Sequence, residues 1–183
     1  LDRVSEAVAT VLAEERPSVL LLQYTEQGGE VAVNVPPAAW LQTTLVELAG
    51  GEPVWLDAAG SGWTVVDLEQ IAAWGPDYVF VIYYGGDPAP AVEALRADAN
   101  WAALKAVREG NLLAFPGDFV SWDQPDPRWI LGLEWLANQL LPEGSFSFNA
   151  QVEMQAFYEQ LYGLDKTVFE TEVLPLLNGD YEP

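Results

Sequence analysis

The sequence predicts an α/β fold: a mostly parallel sheet flanked by helices, in three αβα layers. Two near-continuous apolar runs, residues 18–24 (SVLLLQY) and 78–83 (YVFVIY), read as strands covered on both faces. Segments with helical spacing alternate with strand runs along the chain, the arrangement of βα units. Gly-Gly, Gly-Pro and Pro-Gly pairs punctuate the boundaries between them.

Residues 1–16 carry Val4, Ala7, Val8, Val11 and Leu12 on one face and stop before Pro17, which predicts a helix. The strand of residues 18–24 follows. Gln27-Gly28-Gly29 is a turn, and residues 31–35 are a short strand. A helix over 37–49 is closed by Gly50-Gly51. Residues 53–56 form a short strand, and 58–64 a small flexible loop carrying Trp63. Asp67 is placed to cap a helix over 67–74 that ends at Gly75-Pro76.

After the 78–83 strand, helices are predicted over 88–97 and 101–109, the second stopped by Gly110. Residues 112–115 (LLAF) end at Pro116-Gly117, as a buried strand would. Pro125 and Pro127 bracket the start of a helix over 126–141, because proline is tolerated in a first helical turn. Residues 150–162 read as an amphipathic helix with Val152, Ala156, Phe157 or Tyr158, and Leu161 inward. From Asp165 onward a short helix and coil are expected.

Composition removes several kinds of chemistry. The 183 residues contain neither Cys nor His, so a disulfide framework, a thiolate nucleophile, a Ser-His-Asp triad and a His- or Cys-ligated metal are excluded. With 28 acidic residues against 7 basic ones, the net charge of −21 argues against nucleic acid and against an anionic membrane surface. No apolar run reaches the length that spans a bilayer. Gly28-Gly29, Gly60-Ser61-Gly62 and Gly85-Gly86 lack the phosphate-loop pattern.

Open α/β sheets hold ligands at the carboxyl ends of their strands. The loops expected at that edge offer Gln23, Tyr24 and Thr25; Asn34, Trp40 and Gln42; Ser61, Trp63 and Thr64; Tyr83, Tyr84 and Asp87. The last crest adds Asp118, Ser121, Trp122, Asp123 and Gln124, with Arg128 one turn into its helix. Each crest contributes a Trp or Tyr, and loop aromatics supply rigid contact area at low entropy cost. A single one would read as core packing; several at one edge read as a binding wall. Trp55, Trp74, Trp101, Trp129 and Trp135 fall within strands or on helix faces and read as core. Arg128 has two readings: a grip on an anionic ligand, or a brace through Asp123 or Asp126.

Four segments resemble one known family. AWLQTTLVELAGGEPVW, GWTVVDLEQIAAWGPDYVFV, DANWAALKAVREGNLLAFPG and SWDQPDPRWILGLEWLA, together covering roughly residues 36–141, are similar in order and spacing to the C-terminal lobe of class III periplasmic substrate-binding proteins of ABC importers. The family carries iron-siderophores, cobalamin, haem and, in one branch, molybdate or tungstate. The resemblance implies one lobe of a two-lobed binding protein: residues 1–17 as the end of the interlobe helix, 18–142 as the C-terminal ligand-binding lobe, and 143–183 as a helical extension. A first lobe with half the cleft is expected outside this chain.

The resemblance further implies a non-enzymatic lipoprotein-type carrier, periplasmic or membrane-anchored outside the cell. It needs no cofactor or protein-held metal and delivers a metal chelate to a permease without inserting into the membrane. Tyr24, Trp40, Trp63, Tyr83, Tyr84, Trp122 and Arg128 are then its ligand-binding candidates. Glu69 matches the family's permease-docking glutamate; by itself it reads as a solvated first-turn carboxylate, and the surrounding block is what favours docking. Alternatives are oxyanion capture, or an enzyme of chelatase-like architecture using acids such as Asp118 and Asp123.

Overall fold

A computed structural model describes residues 1–181. The last two residues of the expected 143–183 extension lie outside the described residues. Among the described residues six strands form one mixed sheet: β1 (Ser18–Gln27), β2 (Glu30–Val35), β3 (Glu52–Pro53), β4 (Thr64–Val66), β5 (Tyr78–Ile82) and β6 (Leu112–Ala114). The order is β4-β2-β1-β5-β6, with β3 beside the start of β1. β1 runs parallel to β3 and β5, and β5 parallel to β6. β1–β2 and β2–β4 are antiparallel.

The apolar runs explain the centre. Val19–Leu22 of β1 and Val79–Ile82 of β5 are completely buried, as strands covered on both faces must be. Beyond Gln23, β1 leaves β5 and pairs only with β2, through a two-residue turn. Gly28 and Gly29 both take positive φ (63° and 85°), the backbone that matches the twist of a tight hairpin. The hairpin is therefore local and antiparallel, while the crossovers through helices give the parallel pairs.

Among the described residues eight helices flank the sheet: α1 (Asp2–Val8), α2 (Leu41–Leu48), α3 (Leu68–Trp74), α4 (Ala89–Ala97), α5 (Lys105–Arg108), α6 (Trp129–Leu140), α7 (Ala150–Tyr162) and α8 (Lys166–Val168). α2 packs on α6 and α1, α6 on α7, and α4 against β6. Asp67 caps α3 through Gln70 N–H, and Gln70 returns a bond to Asp67 N–H, a closed capping box.

Several predicted bounds shift. The first helix ends at Val8 and gives way to a 3₁₀ turn, leaving Leu12 exposed. The strand expected over 53–56 shrinks to Glu52–Pro53, and the unforeseen β4 starts at Thr64, the last residue of the expected loop. On α7 the inward residues are Ala150, Met154, Phe157 and Tyr158, whereas Val152 and Leu161 face solvent. Residues beyond 142 share the single core through Phe148, Met154, Phe157, Phe169 and Val173. The tail closes on β6 as well, with Asp180 N–H donating to Ala114 O at 2.9 Å.

Candidate functional site: an aromatic corner above a buried carboxylate

Three aromatic residues from three strand ends meet at one place. Trp63 immediately precedes β4, whose Thr64 pairs with Val35 at the end of β2. The Thr64 hydroxyl fixes the preceding loop by accepting from Gly60 N–H and donating to Gly62 O. From Val35 the chain turns through Pro36-Pro37 to Trp40, the N-cap position of α2, whose N–H donates to Pro37 O. The β2–β4 pairing thus sets Trp40 against Trp63, with ring centroids 5.7 Å apart and planes at 88°. Tyr84, just past β5, joins from the other side at 6.1 Å and 68° from Trp63. Such edge-to-face pairs contribute about 0.5–1.5 kcal/mol each beyond simple burial.

The corner keeps exposed surface, 37% for Trp40 and 41% for Tyr84. It opens on a cleft of about 450 Å³ that Gln42, Gln124 and Pro125 also line. A second cleft of about 710 Å³ shares Tyr84 and Gln124 and continues along Tyr83, Asp87, Phe119 and Leu176. Tyr84 is the ridge between the two.

Under the ridge lies Asp123, fully buried. Its Oδ2 accepts from Tyr84 O–H at 2.5 Å and from Gln42 Nε2 at 3.0 Å. Its Oδ1, like the Ser121 hydroxyl, is buried without a partner in good geometry among the described residues. Burial pushes the Asp123 carboxyl above the usual carboxylate range, against the pull of Ser121, Tyr84 and Gln42. Burial and then the Asp123 charge push the Tyr84 phenol up, so Tyr84 remains a neutral donor.

The other expected wall residues are placed elsewhere. Trp122 is completely buried. Its indole N–H donates to Asp118 Oδ2 at 3.3 Å and its ring meets Phe148, so it anchors the crest from beneath. The reason is Gly132 of α6, which sits so close that a Cβ there would stand 2.6 Å from Trp122 O. Tyr24 is 6% exposed and packs edge-on against half-buried Tyr83. Arg128 is a brace: it pairs with Asp118 at 2.9 Å and Asp126 at 2.6 Å, and donates to Tyr158 O–H at 2.9 Å. The brace runs to Asp126 as one reading had it, and to Asp118 instead of Asp123. Glu69 is exposed in the first turn of α3.

The linings of Phe119, Val120, Pro125 and Leu176 were not among the sequence candidates. Phe119-Val120 directly after a Pro-Gly-Asp turn is the signal that points to them, since an apolar pair at a loop tip has little core to enter. Among the described residues no three His, Cys, Asp or Glu side chains converge as a metal site would require. No helix among them is long and apolar enough to cross a membrane.

The family profile described as "Periplasmic binding protein" matches residues 1–118. The chain belongs to the periplasmic binding protein family. Its structural neighbours are the class III substrate-binding proteins of ABC transporters. A periplasmic solute binding protein from Veillonella parvula superposes with a TM-score of 0.70 at 22% identity, covering 94% of this chain and 51% of that one. An ABC transporter solute binding protein from Sulfurospirillum deleyianum gives 0.70 at 23% identity, covering 93% and 51%. The molybdate periplasmic binding protein MolA of Haemophilus influenzae, in its molybdate-bound form, gives 0.69 at 20% identity, covering 90% and 47%. The chain thus spans about half the length of these family structures. No curated protein sequence matches it.

Proposed function

We propose that this chain is the ligand-capturing lobe of an ABC importer's substrate-binding component, acting outside the cytoplasm. Its cargo is a bulky metal chelate such as a ferric siderophore, cobalamin or haem. The Trp40–Trp63–Tyr84 corner carries the reading: three partly exposed rings share one cleft. A chelate brings its own metal ligands and asks of the protein shape, stacking and a few hydrogen bonds. A bare transition metal would ask for softer ligands than a chain without His or Cys offers. The role is binding and delivery, with no catalytic step.

Tryptophan fluorescence titrated with a ferric siderophore, cobalamin, haem and molybdate tests this. One of the three chelates should quench emission saturably and be recovered unchanged. A response to molybdate alone would favour the oxyanion reading, to which the fold shared with MolA lends support. Turnover of any probe would overturn the carrier role. Glu69 is the permease-docking residue in this reading. Glu69→Arg should abolish uptake while leaving ligand affinity unchanged, and normal uptake would reduce it to a surface carboxylate.

A further inference from the structure

We infer that the aromatic corner receives a positively charged group of the ligand, an ammonium-type cation seated against the faces of Trp40, Trp63 and Tyr84. This inference rests on the reading of that corner as the ligand site. The three rings pack edge to face on one another and all border one cleft. Aromatic faces attract cations through the ring quadrupole, most strongly Trp. The Tyr84 hydroxyl donates a hydrogen bond to Asp123, which places a buried carboxyl group at the hydroxyl end of that ring.

The distribution of positive charge supports the same sign. None of the seven basic residues lines either cleft. Arg128, the one nearest by position, is already held by Asp118 and Asp126. Arg96 donates to Leu112 O at the start of β6, and Lys105 pairs with Asp77 just before β5. Both therefore sit at the edge opposite the corner. An anion would find indole and amide N–H donors there but no fixed positive charge. The same crest already houses one cation in this manner: the Arg128 guanidinium lies 5.5–5.9 Å from the centroids of Phe119, Tyr158 and Tyr162.

The test is a titration of the ¹⁵N-labelled tryptophan side chains, read by NMR. Diamagnetic gallium(III) chelates stand in for ferric ones. The probes are a gallium trihydroxamate with a free ammonium tail, its N-acetylated neutral form, a trianionic gallium tricatecholate, sodium molybdate and metal-free butyltrimethylammonium. The ammonium form should bind about 3- to 30-fold more tightly than its acetylated twin. The shifts should concentrate on Trp40 and Trp63 and leave Trp122 still. Trp63→Leu should erase the preference, and Trp63→Phe, which keeps a ring should the smaller variant misfold, should retain part of it. Equal or tighter binding of the tricatecholate or molybdate overturns the inference while leaving solute capture standing. Binding of butyltrimethylammonium without any chelate upholds the cation site and overturns the chelate cargo. No shift with any probe overturns both.

Discussion

Asp123→Asn should raise stability at neutral and alkaline pH, by an amount that grows as pH rises. Both donors to the carboxylate, Tyr84 O–H and Gln42 Nε2, bind the same oxygen, Oδ2. An Asn whose carbonyl takes that position keeps both bonds. Losing their charge assistance costs about 1 kcal/mol each. Against this, an ionised buried carboxylate carries an effective desolvation penalty of several kcal/mol, and its orphaned Oδ1 adds about 1–3 kcal/mol. The Ser121 hydroxyl, buried and close enough to act on the carboxyl, can accept from the new amide. The net expectation is a gain of about 1–2 kcal/mol at pH 8.

The sign with pH follows from the raised carboxyl. The unfolded chain releases this proton near pH ~3.9, while the native chain holds it to higher pH. Native protein therefore binds more protons across that window, and its stability falls as pH rises through it. Asp77 works oppositely: burial is outweighed by hydrogen bonds from Lys105 and Ser18, so its contribution is lost as pH falls. Asp77 is common to both proteins and cancels in the difference. Urea denaturation of the two proteins between pH 4 and 8 measures it. The curves should meet near pH 4 and separate upward. A constant gap, or a variant less stable at pH 8 by more than about 1 kcal/mol, would refute the account of Asp123 as a net-unfavourable buried charge.

Two further outcomes test the crest. Arg128→Met leaves the fully buried Asp118 side chain without its cation and should cost about 3–5 kcal/mol in urea denaturation, with the Trp122 indole N–H signal the first to shift. Gly132→Ala drives a Cβ into Trp122 O at 2.6 Å, a backbone atom that cannot rotate away. It should cost about 1–3 kcal/mol by thermal melting and shift the 116–124 crest, whereas Gly62→Ala, with open space around it, should leave the melt unchanged.

The layered fold was legible in the sequence because its signals are local or uniform. SVLLLQY and YVFVIY declare burial on both faces, and Asp67 with Gln70 declares a helix start; neither needs a distant partner. β4 was not legible, because TVV forms a strand only through its pairing with β2, some thirty residues away. The site divided along the same line. Trp40, Trp63 and Tyr84 were candidates by their positions after strands, and the register Val35↔Thr64 brought them to one corner. Trp122 had the same credentials and went inward, because Gly132 on a later helix leaves room for its backbone to close down. Val152 and Leu161 carried the helical period but faced out, since α7 presents its Met154–Phe157–Tyr158 side to the core.

By itself, then, the sequence determined the layered α/β class, the exclusion of His and Cys chemistry, and an aromatic, acidic strand-end edge. Those depend on composition and on periods within single segments. Tertiary structure alone decided which aromatics form the corner, that Arg128 is consumed in bracing, and that Asp123 lies buried beneath Tyr84. Those depend on distances between segments far apart in the chain, which close packing sets and residue identity does not.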